Sequence, residues 1–169
     1  MNLFINNEYE EGLSYKVAEF GCGAYAPFYS LYNGKDDFEV QKFDIKKWDD
    51  ETEILDFNSS PTSIPSVNIS VFSGVLEYLN DIPSTISNVM ANSDYILMSY
   101  AFLPSALFLH ESKYISEISR RAVSNGWRNH YSNKDIVDMI SCVGVISAVD
   151  VWNNKQSLFL LRNFEVDKD

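Results

Sequence analysis

The chain has 169 residues, about the size of one domain, and 46% of them are hydrophobic, with 11 Phe and 10 Tyr among them. That is ample material for one core and excludes a disordered or fibrous chain. Thirteen Lys and Arg against 24 Asp and Glu give a formal net charge of -11. Such a field repels nucleic acid and anionic membranes, so neither is an expected partner.

Two cysteines, Cys22 and Cys142, lie far apart and show no metal-ligand spacing, which fits free thiols in a reducing cytosol. No apolar run reaches the length of a membrane span, because Ser99, Pro104 and Ser105 interrupt the best candidate. The first residues lack the positive region of a signal peptide. These features predict a cytoplasmic chain folded as a single domain over 1–169.

In chain order, a first strand is expected at 15–20, ending at Gly21-Cys22-Gly23. One or two helical turns follow at 28–33, closed by Asn33-Gly34. Residues 38–43 alternate as a second strand and meet Asp44. After a charged loop at 46–53, residues 53–57 read as a short third strand, and 58–66 as a loop marked by prolines. The nearly continuous apolar run at 67–72 suits a strand covered on both faces. Pro83 fits the first turn of a helix over 82–92, because a proline there costs no backbone hydrogen bond. A fifth strand is expected at 95–102 and a helix of mixed polarity at 111–124, with Gly126 beyond it. Ser132 and Asp135 have capping-box spacing, and Ile136, Val137, Ile140 and Val143 form the buried stripe of the helix they open. Strands at 145–152 and 156–162, joined by a tight turn at 153–155, close the chain. This order of elements predicts a three-layer α/β domain.

Chemistry enters at the glycine turn. Gly21 and Gly23 follow a strand, the context in which such a turn lets backbone approach a ligand without a Cβ in the way. Asp44 ends the next strand, in reach of ribose hydroxyls. By itself this layout fits NAD as well as another adenosine cofactor.

Glu19-Phe20-Gly21-Cys22-Gly23 resembles the first motif of the class I S-adenosylmethionine-dependent methyltransferases, and the resemblance extends over nearly the whole chain. It implies a Rossmann-like, mostly parallel sheet of seven strands, or slightly fewer, with an antiparallel C-terminal hairpin strand. It implies S-adenosylmethionine as cofactor, with Glu19 orienting the loop and the methionine amino group and with Gly21, Cys22 and Gly23 lining the cofactor. Asp44 matches the ribose-binding acid, and Asp56-Phe57 the acidic–apolar pair at the adenine. The segment Phe72-Ser73-Gly74-Val75-Leu76-Glu77-Tyr78 is similar to the motif after the fourth strand, placing Phe72 and Ser73 beside the adenosine or methionine portion. Gly126-Trp127-Arg128-Asn129-His130 and the closing hairpin look like small-molecule branches of the family. Some of these act in saccharide pathways, so a sugar or sugar phosphate is one implied acceptor. The chain departs from the pattern in three places: few residues precede the first strand, the next helix is short, and Tyr25 stands where many relatives carry glycine.

Methyl transfer to a hydroxyl is helped by a general base. His130, in the polar segment before a helix, is the preferred candidate, ahead of His110; a surface or capping histidine is its plain alternative. Tyr100 lies near the carboxyl end of the fifth strand, where open α/β sheets bind ligands. Arg121, Arg128 and Trp127 are candidate substrate contacts, the arginines for a phosphate or carboxylate and the indole for a ring. The arginines would otherwise form a solvated helix face paired with Glu111 and Glu117. No metal site is expected.

Two other functions compete. One is a noncatalytic domain that binds the adenosine cofactor as a scaffold or regulator. The other is an NAD-dependent oxidoreductase, for which the chain leaves little room; an antiparallel seventh strand beside the sixth would decide for the methyltransferase fold. Self-association, or a partner supplying the missing lid, is expected where aromatic surface lies open.

Overall fold

A computed structural model describes residues 1–35, 37–59, 63–104, 110–152 and 156–166. In chain order the elements are α1 (Asn2–Ile5), β1 (Tyr15–Phe20), α2 (Pro27–Tyr32), β2 (Phe38–Asp44), β3 (Thr52–Ile54), β4 (Val67–Phe72), α3 (Ile82–Met90), β5 (Ser93–Tyr100), α4 (Glu111–Asn125), α5 (Asn133–Ile140), β6 (Val145–Trp152) and β7 (Gln156–Arg162). Single 3-10 turns at Phe57–Ser59 and Leu76–Tyr78 follow β3 and β4.

The strands form one sheet in the order β3-β2-β1-β4-β5-β7-β6. Every neighbouring pair from β3 to β5 is parallel, whereas β7 runs antiparallel to both β5 and β6. The reversed strand therefore lies between the fifth and sixth, the arrangement that separates this sheet from an all-parallel dinucleotide-binding one. The turn expected at 153–155 lies outside the described residues.

Each sheet face has its own core. Phe20, Phe72, Met98 and Phe159 point to the face covered by α3 and α5, where Ile86, Val89, Ile136 and Ile140 meet them. Val17, Ile69, Val71, Leu97 and Leu160 point the other way, toward Phe4 of α1 and the aromatic side chains of α2. Side chains alternate between faces along a strand, so burial of both faces gives the nearly unbroken apolar runs of β4 and β5. A side chain such as Phe72 or Phe159, fully buried, contributes roughly 1.5–3 kcal/mol by leaving water.

Caps fix the helix ends. Asp81 accepts the Ser84 N–H at 3.0 Å at the start of α3. Ser132 and Asp135 form the reciprocal capping box of α5. Gly126, with φ 71°, turns the chain out of α4.

The boundaries that differ from expectation have local causes. β3 covers 52–54 rather than 53–57, because Asp56 Oδ1 accepts the Asn58 N–H at 2.8 Å and curls the chain into a turn. β5 stops at Tyr100, since the Ala101 N–H donates to Glu77 Oε1 at 2.7 Å instead of to a strand. β2 extends one residue further, to Asp44, and α3 ends at Met90. The short α1, closing the second core with Phe4, was not expected.

Candidate functional site

The carboxyl ends of β1, β2, β3 and β4 meet around a cavity of about 530 Å³. Phe20 and Gly21, where β1 enters its turn, form one wall, and Gly23 stands back from the lining. Gly21 and Gly23 have φ 65° and 61°, in the left-handed region that a side chain rarely adopts. A Cβ on Gly21 would overlap a γ-methyl of Val75, so only glycine lets this turn close against the segment after β4. The turn is fixed to β2 twice: the Cys22 N–H donates to the Phe43 carbonyl at 3.2 Å, and the Gly23 N–H to Asp44 Oδ2 at 2.9 Å. Asp44 Oδ1 accepts the Lys46 N–H at 3.0 Å. A carboxylate offers about four acceptor positions, so Asp44 retains capacity for hydroxyls in the cavity that it lines.

Glu19 acts from behind the turn. Its buried carboxylate accepts the Phe28 and Tyr29 N–H groups at 3.1 and 2.8 Å, satisfying two donors at the start of α2. Burial raises its pKa, and the two N–H bonds and the Lys42 charge oppose that rise. Cys22 is buried too, its thiol pushed up to about 11 by burial and by Asp44. Glu19 and the Cys22 side chain thus shape the turn from within and do not line the cavity.

On the opposite wall, Phe57 packs edge-on against Phe20 with centroids 5.1 Å apart and leans on Phe72 at 5.5 Å. Asp56, Gly74, Tyr78 and Arg128 also line the cavity, and Arg128 is steadied by a 2.7 Å bond to Asn80 Oδ1. Trp48 completes it, with the Lys46 ammonium 4.1 Å from its ring. Sequence reasoning missed Ile45, Trp48, Leu55 and Leu79 here. A tryptophan in an otherwise charged loop just past Asp44 was the available signal.

Several candidates sit elsewhere. The Tyr100 hydroxyl is buried, donates to Asn129 Oδ1 at 2.7 Å and accepts the Tyr131 N–H at 2.8 Å, joining β5 to the segment before α5. Burial, joined by the Glu77 charge, raises its pKa, and the Tyr131 N–H bond opposes that rise. The Arg121 guanidinium is committed to Glu117 and to the carbonyls of Ala101 and Phe102, at 2.8, 2.7 and 3.0 Å, with Trp127 stacked 5.2 Å away. Arg121 thus clamps α4 to the end of β5. His130 lines neither this cavity nor the one described next; its Nδ1 is buried without a hydrogen-bond partner, and burial, then Arg121, lowers its pKa. Arg128 is thus the one cation of the 120–128 cluster that reaches the cavity.

Phe72 and Ser73 border a second cavity of about 340 Å³ on the α1–α2 side of the sheet, with Val71, Leu97, Ser99, Asp150 and Leu158 among its lining. Ser99 links the two spaces: its Oγ accepts the Gly74 N–H at 2.9 Å, and Gly74 lines the larger cavity.

No family model and no curated protein sequence matches the chain. Its fold, however, is that of solved methyltransferases. An S-adenosylmethionine-dependent methyltransferase from Mesorhizobium loti superposes with a TM-score of 0.68 at 13% identity, over 92% of this chain and 94% of that one. An O-methyltransferase family 2 protein from Planctomyces limnophilus, solved with apigenin, gives 0.64 at 13% identity over 94% of this chain. A methyltransferase of calicheamicin biosynthesis, solved in its SAH-bound form, gives 0.59 at 12% identity, also over 94%. The chain spans about half the length of the last two, 52% and 51%. Seven strands, mostly parallel, with one reversed strand inserted beside the sixth, place the chain in the class I methyltransferase fold.

Proposed function

We propose that the chain is an S-adenosylmethionine-dependent methyltransferase acting on a small molecule, folded as one domain over 1–169. The observation that carries this reading is the convergence of the glycine turn, Asp44 and Asp56-Phe57, from three successive strand ends, on one cavity. The site fits the cofactor on its own geometry. A Cβ at Gly74 would project into open space, so the glycine leaves the wall flat for a close ligand. Asp44 keeps acceptor capacity for the ribose hydroxyls, and Phe57 and Trp48 offer ring faces to adenine. When bound, the cofactor supplies a methyl group on an already activated sulfonium.

What the protein adds is alignment. Glu19 fixes the start of α2 and with it the turn, Asp44 sets the ribose end, and Ser99 holds Gly74 where the two cavities approach. Tyr100 and Arg121 act in this reading as positioning residues, because their polar groups hold the segments after β5 and before α5, and Trp127 packs on Arg121. A sugar or sugar-phosphate acceptor is supported only by the resemblance of the sequence.

Calorimetric titration with S-adenosylhomocysteine, S-adenosylmethionine and NAD tests the reading. Micromolar binding of the first two and none of NAD is expected. Binding of NAD alone would replace it with an oxidoreductase. Cofactor affinity without turnover on any acceptor would favour a noncatalytic scaffold.

A further inference from the structure

The smaller cavity carries its own chemical signature. Strand register places Ser99 opposite Leu158, and Leu158 opposite Asp150, in one row across β5, β7 and β6. One row deeper, Val71, Leu97 and Leu160 stand opposite one another. Side chains two apart along a strand share a face, so both rows look toward α1 and α2. Met1, Leu3, Phe28 and Tyr32 wall the space from above. The cavity is therefore an apolar slot with polar groups at its ends: Ser73 and Ser99 beside the larger cavity, and exposed Asp150 on the far strand. Among the described lining residues there is no Lys, Arg or His.

From this arrangement we infer that the slot holds the methyl acceptor, and that the acceptor is a small amphipathic amine. Its nucleophilic oxygen or nitrogen lies at Ser73 and Ser99, its apolar body over Val71, Leu97 and Leu158, and its ammonium at Asp150. Neighbouring strands are about 4.8 Å apart, so Ser99 and Asp150 are separated by roughly 10 Å, the reach of one aromatic ring with a two-carbon arm. A volume of about 340 Å³ is at the small end of ligand pockets and suits one ring. The formal charge of -11 draws cations toward the protein and opposes anions. A phosphorylated sugar would bring its phosphate to a carboxylate, with no Lys, Arg or His among the described lining residues to receive it; the α-amino group of Met1, which also lines the slot, has its pKa lowered by burial to about 6. The inference rests on the methyltransferase reading, because only the cofactor in the larger cavity makes this slot an acceptor site.

The test is calorimetry on the full chain saturated with S-adenosylhomocysteine, using tyramine, 4-ethylphenol and glucose 6-phosphate as probes. Tyramine is expected to bind tightest, 4-ethylphenol more weakly, and glucose 6-phosphate not at all. Asp150→Asn is expected to weaken tyramine roughly threefold to fivefold, the size of an exposed ion pair, and to leave 4-ethylphenol unaffected. The melting temperature of the variant reports whether the fold is intact. Equal or tighter binding of glucose 6-phosphate, no binding of any probe to the cofactor-loaded protein, or tyramine affinity insensitive to Asp150→Asn would overturn the inference. Failure of S-adenosylhomocysteine to bind in the first place would instead overturn the methyltransferase reading beneath it.

Discussion

The Gly23 N–H donates to Asp44 Oδ2 at 2.9 Å, joining the turn after β1 to the end of β2 across 21 residues of sequence. One carboxylate thus holds the backbone of the turn and faces the cavity beside it. Removing the carboxylate separates these roles. Asp44→Ala is expected to cost about 1 kcal/mol of stability, because solvent can reach the freed Gly23 and Lys46 N–H groups. Cofactor affinity should fall roughly tenfold or more, the loss of a charged acceptor to ribose hydroxyls. Thermal melts and calorimetry on the same preparation check both.

The two glycines of the turn should not respond alike to alanine. Both have positive φ, so each substitution carries roughly 1–2 kcal/mol of backbone strain. At Gly23 the added Cβ meets nothing within 4 Å, whereas at Gly21 it collides with Val75. Urea unfolding should therefore show Gly21→Ala as the more destabilising. A Val75→Ala background should narrow the difference, and a double-mutant cycle measures by how much.

Tyr100 and Asn129 hold the segment before α5. Tyr100→Phe removes the bond to Asn129 and leaves the Tyr131 N–H without its hydroxyl acceptor. The expected loss is about 1–3 kcal/mol of stability, read by urea unfolding, with affinity for S-adenosylhomocysteine within about twofold of the parent. A large loss of affinity at unchanged stability would give the hydroxyl a direct part in the site.

Acid should loosen the clamp at the end of β5. Arg120 first, then Arg121, lowers the Glu117 carboxyl from 4.5 to about 2. A depressed carboxyl pKa means that the unfolded chain takes up the proton first. This contribution is thus complete above pH 4.5 and is lost as pH falls toward 2. Melting temperature followed across that window should drop more steeply for the parent than for Glu117→Gln, which has no proton to gain.

Much of this architecture can be read from residue order alone. β1, β4, β6 and β7 fall where the apolar runs predict, and the Ser132 capping box starts α5 where expected. Such features depend on a strand's own side-chain alternation or on groups three residues apart, so local chemistry suffices. β3 was placed too late because the Asp56 side chain competes with the sheet for backbone donors, and a strand pattern does not record that competition.

For the candidate site, the glycine turn and Asp44 are legible in the sequence, because each lies at the end of a strand whose position periodicity sets, whereas Asp56-Phe57 follows a strand that periodicity misplaced and rests on the family resemblance. Only the tertiary structure decided where the remaining polar side chains spend their hydrogen bonds. Arg121 and Arg128 are seven residues apart and look equivalent in sequence, yet one guanidinium is drawn to the Ala101 and Phe102 carbonyls and the other reaches the cavity. The slot ending at Ser99 and Asp150 is likewise a product of strand register. Pairing across three strands brings those two residues into one row, and their separation along the chain carries no trace of it.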